Sequence, residues 1–202
     1  MFDDLLIQTQ RKTGSRKKTS IIAPHLFKEF FTRLKSEPID NEIKTILAIA
    51  ISGGMRITEA LSIRRCDIDL ADGFVKVKVL KKRGFYKAKD GRTKPASPVY
   101  RDALLIDEAL EISRDYLTKC GARNYEKIFG VTRSTIHRHI KKIFGADASA
   151  HSISRHSFIS HLFFEKEQSN DEIQNIMELS RRYVDTYNHM DVKRHLKKIK
   201  GK

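Results

Sequence analysis

Residues 41–70 read NEIKTILAIAISGGMRITEALSIRRCDIDL. Between Ile43 and Ile51 only Lys44 and Thr45 interrupt a run of apolar side chains. A helix that is apolar nearly all round has to be enclosed by other elements, so this segment is predicted to be the central buried helix of the domain. Gly53 and Gly54 end it, because glycine enters the left-handed backbone of a helix C-terminus without steric cost. From Arg56 onward, RITEALSIRRCDIDL reads as a short helix leading into a turn.

Upstream, APHLFKEFFTRLKS (23–36) places Leu26, Phe27, Phe30, Phe31 and Leu34 at helical spacing, with Pro24 near the start. Residues 1–19 contain RKTGSRKKTS, which is polar, basic and interrupted by glycine, and read as a flexible basic tail. Downstream the period changes. GFVKVKVL (73–80) alternates apolar residues with Lys76 and Lys78, the pattern of a strand with one wet face. A long basic connection with the hairpin signal Asp90-Gly91 follows, then a returning strand in SPVYRDALLI (97–106). DEALEISRDYLTKC (107–120) is helical.

GVTRSTIHRHIKKIFG (130–145) is the clearest amphipathic helix. Ile136, Ile140, Ile143 and Phe144 form its apolar stripe, and Thr132 or Ser134 caps it. Arg133, His137, Arg138, Lys141 and Lys142 cover the other faces, and such a helix suits insertion into the major groove of DNA. Two or three further helices and a basic tail complete the chain. The expected fold is therefore mainly α with a small antiparallel β-sheet.

Forty Lys and Arg against 25 Asp and Glu give a formal charge of +15, spread from end to end. An excess of that size favours a polyanion, most often nucleic acid. Cys66 and Cys120 lack metal-ligand spacing and read as reduced thiols in a cytoplasmic, DNA-associated protein. No Gly-rich phosphate loop, GxSxG, HExxH or zinc-type Cys/His cluster is present, nor the acidic cluster of a two-metal nuclease. What remains is arginines, lysines and histidines beside turns, and two late tyrosines, Tyr183 and Tyr187, one helical turn apart. Such a set can act on a phosphodiester without metal. Arginines stabilise charge spreading over the non-bridging oxygens, a tyrosine attacks phosphorus, and a lysine or histidine protonates the leaving oxygen.

SGGMRITEALSIRRCDIDL (52–70) resembles the first signature of the tyrosine recombinases, or phage integrases, whose Gly-Met-Arg-Ile-x-Glu run precedes Leu-x-x-Arg-x-x-Asp-Ile-Asp. SRHSFISHLF (154–163) resembles their second signature, and TYNHMD (186–191) the neighbourhood of their nucleophile. The resemblance covers residues 20–192 and implies the catalytic-domain fold of that family. It implies that Arg56 and Arg155 hold the scissile phosphate and that Glu59 supports them. Lys81, or its neighbour Lys82, would protonate the departing 5′-oxygen, and Tyr187 would form a 3′-phosphotyrosine link. It implies double-stranded DNA as partner, self-association as a tetramer on paired sites, and no metal, ATP or other cofactor.

The sequence departs from the family pattern in two places. The histidine expected three residues before the second arginine is Ser152, with His151 one residue earlier. The His or Trp expected about nine residues before the tyrosine is Glu178, with Arg181 nearby as a substitute. The departures keep a second reading open, a catalytically silent DNA-binding regulator with the same fold. Family members usually carry a further helical domain that the first 19 residues are too short to supply. The expectation is therefore a catalytic fragment or a short invertase-like member, with residues 193–202 as a basic tail that packs in trans.

Overall fold

The computed structural model describes residues 2–10, 18–80, 85–87, 92–95 and 97–177. The elements in chain order are strands β1 (Leu6–Gln10) and β2 (Lys18–Ile22), helices α1 (Phe27–Ser36), α2 (Asn41–Ser52) and α3 (Ile57–Ala60), and strands β3 (Ile68–Asp69) and β4 (Phe74–Lys78). Next come the strand pair β5 (Phe85–Lys87) and β6 (Thr93–Pro95), strand β7 (Tyr100–Leu104), and helices α4 (Asp107–Leu117) and α5 (Arg133–Phe144). A π-helical turn, Ser152–His156, runs directly into α6 (Ser157–Phe164), and α7 (Asn170–Met177) follows.

Helix α2 is the axis of the domain, as its composition requires: every residue from Thr45 to Ser52 is buried. Asp40 caps it, accepting from the backbone N–H groups of Glu42 at 2.8 Å and Ile43 at 3.4 Å. Its C-terminus closes in a Schellman arrangement, with the N–H of Met55 donating to the carbonyl of Ala50 and that of Gly54 to Ile51. Gly54 has φ +59°, and a Cβ there would stand 2.4 Å from a Phe158 ring carbon and 2.9 Å from Met177 Cε. Both backbone conformation and space therefore demand glycine. Two arginines grip the carbonyls of this end. Arg101 Nη2 donates to Gly53 at 2.7 Å and Arg155 Nε to Gly54 at 3.0 Å. Cationic donors at a helix C-terminus oppose its partial negative charge.

The three-stranded antiparallel sheet has the order β3-β4-β7, with Val75 opposite Ala103 and Val77 opposite Arg101. Val75, Val77 and Ala103 face the core, while Lys76, Lys78 and Asp102 face outward, the alternation read from residues 73–80. Strands β5 and β6 pair separately in the connection, on either side of the Asp90-Gly91 turn signal.

The N-terminus corrects one expectation. Within the first 19 residues, read as a flexible tail, β1 pairs with β2 with Leu6 opposite Ile22. Phe2 and Leu5 are buried, and the Phe2 ring lies 5.4 Å from Phe30 and 5.5 Å from Phe144. Burial of these apolar side chains opposes the entropy cost of ordering the segment. The hairpin is tied to the π turn, because the Ser157 hydroxyl accepts from the N–H of Ile22 at 2.9 Å.

Candidate active site

The first signature of the sequence, together with Arg155 of the second, forms an ion triad on a buried carboxylate. Arg56 ends the extended segment after the glycine pair, and α3 starts one residue later. Glu59 lies in the first turn of α3, so its carboxylate reaches back and accepts the backbone N–H of Arg56 at 2.9 Å. The same carboxylate takes the Arg56 guanidinium at 2.7 Å and Arg155 Nη2 at 3.1 Å. The Glu59 side chain is 0% exposed, Arg155 1% and Arg56 16%. Burial alone would raise the Glu59 carboxyl. The charge of Arg155, the backbone N–H of Arg56 and the Arg56 guanidinium outweigh it and hold the group below its usual range. Glu59 thus stays ionised and fixes both arginines, with Arg56 in front and Arg155 one layer deeper.

Arg56 opens on a cleft of about 440 Å³. Ile57, Thr58, Leu80, Arg133, His137, Ser149, Ala150 and His151 complete its walls. Among these lining residues there is no carboxylate, so the cleft suits an anion. α5 reaches it because the Glu42 carboxylate accepts the N–H groups of Gly130 at 2.6 Å and Val131 at 3.0 Å, docking the approach to α5 on the start of α2. Thr132 is the cap, accepting from the N–H of Thr135 at 3.2 Å.

The structure sorts the sequence-predicted residues. Arg56, Glu59 and Arg155 come together. His151 lines the cleft, half-buried, with its ring edge-on to His156 at 4.8 Å. Ser152, in the register position expected for histidine, is buried instead and shares a 2.6 Å hydrogen bond with the Ser149 hydroxyl. The cause is the π turn: the N–H of Ser157 donates to the carbonyl of Ser152, five residues back. A π turn holds one residue more than an α turn, so it brings the residue four before Arg155 toward the side that the third would otherwise occupy.

The basic residues of α5 do not form one face. Arg133 and His137 enter the cleft, whereas Arg138, Lys141 and Lys142 are exposed outside it. His161, read as structural, is buried, stacks on Phe27 at 4.4 Å and directs Nδ1 at the Pro24 carbonyl, 3.1 Å away. Lys81, Lys82, Glu178, Arg181, Tyr183 and Tyr187 lie outside the described residues, as does the tail at 193–202. Leu80, which precedes Lys81, is at the cleft wall. Met177 packs beside Gly54, ten residues before Tyr187.

Sequence reasoning missed Arg101 and Ser157. Arg101 had a signal, since it occupies an inward position of a period-two strand. Ser157 had none, because its partner Ile22 is distant in sequence. Among the described residues, no group of three or more His, Cys, Asp or Glu is placed to hold a metal ion, and no helix is long and apolar enough to cross a membrane.

Two arginines on one buried carboxylate beside a cationic cleft, in a helical domain with a small antiparallel sheet, define a domain of the tyrosine recombinase type. The sequence profile of the Phage integrase family matches residues 21–194, and the chain belongs to that family. No curated protein matches it in sequence. Among solved structures it is similar to XerA recombinase, with a TM-score of 0.61 and 18% identity over 89% of this chain and 63% of that one. It is also similar to XerH site-specific recombinase bound to a difH substrate, with a TM-score of 0.59 and 17% identity over 82% and 48% of the two chains. A third is the Tn1549 transposon integrase in complex with transposon right-end DNA, with a TM-score of 0.57 and 14% identity over 83% and 61%. The chain therefore spans about half to two-thirds of the length of these proteins, and at such identities the likeness concerns the fold.

Proposed function

We propose that this chain is a site-specific DNA recombinase that cuts and rejoins strands of double-stranded DNA through a 3′-phosphotyrosine intermediate. In this reading Tyr187 Oη attacks the scissile phosphorus as its phenolic proton passes to a neighbouring base or water, the bond from phosphorus to the 5′-oxygen breaks, and Lys81 or Lys82 donates the proton that makes the leaving group a 5′-hydroxyl. A 5′-hydroxyl of another strand then attacks the phosphotyrosine and releases Tyr187, so the number of phosphodiester bonds is conserved and no ATP is consumed. Arg56 and Arg155 neutralise the charge that grows on the non-bridging oxygens. His151 acts beside them as proton donor or acceptor, in place of the histidine absent at residue 152. Assembly as a tetramer on paired sites belongs to the same proposal.

The observation that carries the reading is the Glu59-centred pair of arginines beneath a cleft without lining carboxylates. A phosphodiester is the anion such a site fits, and preorganised guanidiniums stabilise its transition state without reorganising.

The test uses the full chain and a nicked duplex bearing the sequence that the protein selects from a random DNA pool, in the presence of a metal chelator. Denaturing electrophoresis should reveal a covalent protein–DNA species whose yield falls at least about a hundredfold in Arg56→Ala. Selective duplex binding without any covalent species would instead assign the silent-regulator reading.

A further inference from the structure

Arg133 and His137 stand one turn apart on α5 and both line the cleft. Arg133 Nε donates to His137 Nε2 at 3.2 Å. A guanidinium only donates, so Nε2 must carry its lone pair, and the ring is neutral with its proton on Nδ1. This bond occupies the inner nitrogen of Arg133. Among the described residues its two Nη groups make no hydrogen bond, and the side chain is exposed at the cleft mouth. A guanidinium fixed at Nε with both Nη groups available is arranged to grip a second phosphate.

Resting on the DNA reading above, we infer that His137 is a positioning residue: in its neutral form it holds Arg133 against a DNA phosphate neighbouring the one at Arg56, and its protonation releases that grip. A protonated ring has no lone pair to accept the bond and adds a like charge beside the guanidinium. The surroundings favour the neutral form. Arg133 and Lys141 act on His137 from its own helix, and Arg56 and His151 share the cleft from the elements packed against it. Partial burial, then Arg133 and Lys141, hold the imidazole below its ordinary value. The latch is therefore closed at neutral pH and opens on acidification.

The test is binding of the full chain to an intact, fluorescent form of the selected duplex, read by anisotropy at constant salt at about pH 8 and about pH 5.5. At the higher pH, Arg133→Ala should weaken binding about tenfold, the scale of one charge-assisted hydrogen bond. His137→Ala should reproduce most of that loss, and the double variant should lose little more. His137→Gln supplies a carbonyl acceptor that does not titrate. It should rescue binding at the higher pH and bind several-fold tighter than wild type at the lower one. Additive losses in the double variant would overturn the inference. So would tighter binding by wild type than by His137→Gln on acidification, because His137 would then be acting as a cation. A chain that selects no duplex overturns the DNA reading and this inference together, whereas missing covalent chemistry on a bound duplex counts against the recombinase reading alone.

Discussion

Glu59 is the residue whose replacement should be felt most. Its carboxylate carries three contacts, at 2.7 Å to the Arg56 guanidinium, 2.9 Å to the Arg56 N–H and 3.1 Å to Arg155. Glu59→Gln keeps the volume but removes the charge and turns one acceptor into a donor facing a donor. Arg155, 1% exposed, then loses the negative charge of Glu59 beside it. Breaking such a pair from one side costs about 3–5 kcal/mol. With a urea m-value of about 2 kcal/mol per molar, the unfolding midpoint should fall by about 1.5–2.5 M. Arg56→Ala should move it far less, because Arg56 is partly exposed and its loss leaves Glu59 still paired with Arg155. The pH dependence has a definite sign. Glu59 is depressed in the folded state, so the unfolded chain takes up a proton first as the pH falls. The pairing contribution is complete above the ordinary carboxylate value of 4.5 and is lost as the pH falls through the lower folded value. Glu59→Gln should lack this acid limb. A midpoint shift below about 0.5 M, or an unchanged acid limb, would refute the assignment of Glu59 as the buried anchor of both arginines.

Gly54→Ala should cost about 2–4 kcal/mol, from the positive φ together with the 2.4 Å approach to Phe158, and lower the melting temperature by about 5–15 °C; a change of a degree or two would contradict the packing described. His161 should titrate below its ordinary value of 6.5 because burial outweighs its hydrogen bond to Pro24. It therefore contributes stability above pH 6.5 that fades as the pH falls through the folded value, and an NMR titration with a midpoint above 6.5 would contradict this. His151→Ala should reduce the yield of covalent DNA complex by about a hundredfold while Ser152→Ala stays within a few-fold of wild type. The opposite ranking would show that the π turn does not deliver His151 to the reaction.

The helical frame was readable because its signals are local. Residues 43–51 are apolar nearly all round, and Ile136, Ile140, Ile143 and Phe144 fall on one stripe of α5, so each helix announces its own burial. Arg56 and Glu59 were readable through the family resemblance, and their spacing of three at a helix start is what lets them meet. Arg155 and the carbonyl of Gly54 are 101 residues apart, and only the family resemblance linked the two segments. What escaped reading depends on contacts distant in sequence. LIQTQ in β1 lacks a strict alternation, and the segment is ordered by Phe30, Phe144 and Ile22. The π turn is a change of hydrogen-bond register in a helix whose composition is unremarked, accompanied by Ser149 and by the tie from Ser157 to Ile22. The basic residues of α5 looked equivalent in sequence, but docking through Glu42 turns only Arg133 and His137 into the cleft.

The proposed phosphotyrosine chemistry is tested most directly by asking which residue, if any, can be trapped on DNA. The full chain would be incubated with the nicked duplex, any covalent species digested, and its nucleotide-bearing peptide sequenced by mass spectrometry. The expected product is a phosphodiester on Tyr187, formed without metal, retained in Tyr183→Phe and absent in Tyr187→Phe. Attachment at Tyr183, or at any residue other than Tyr187, would contradict it.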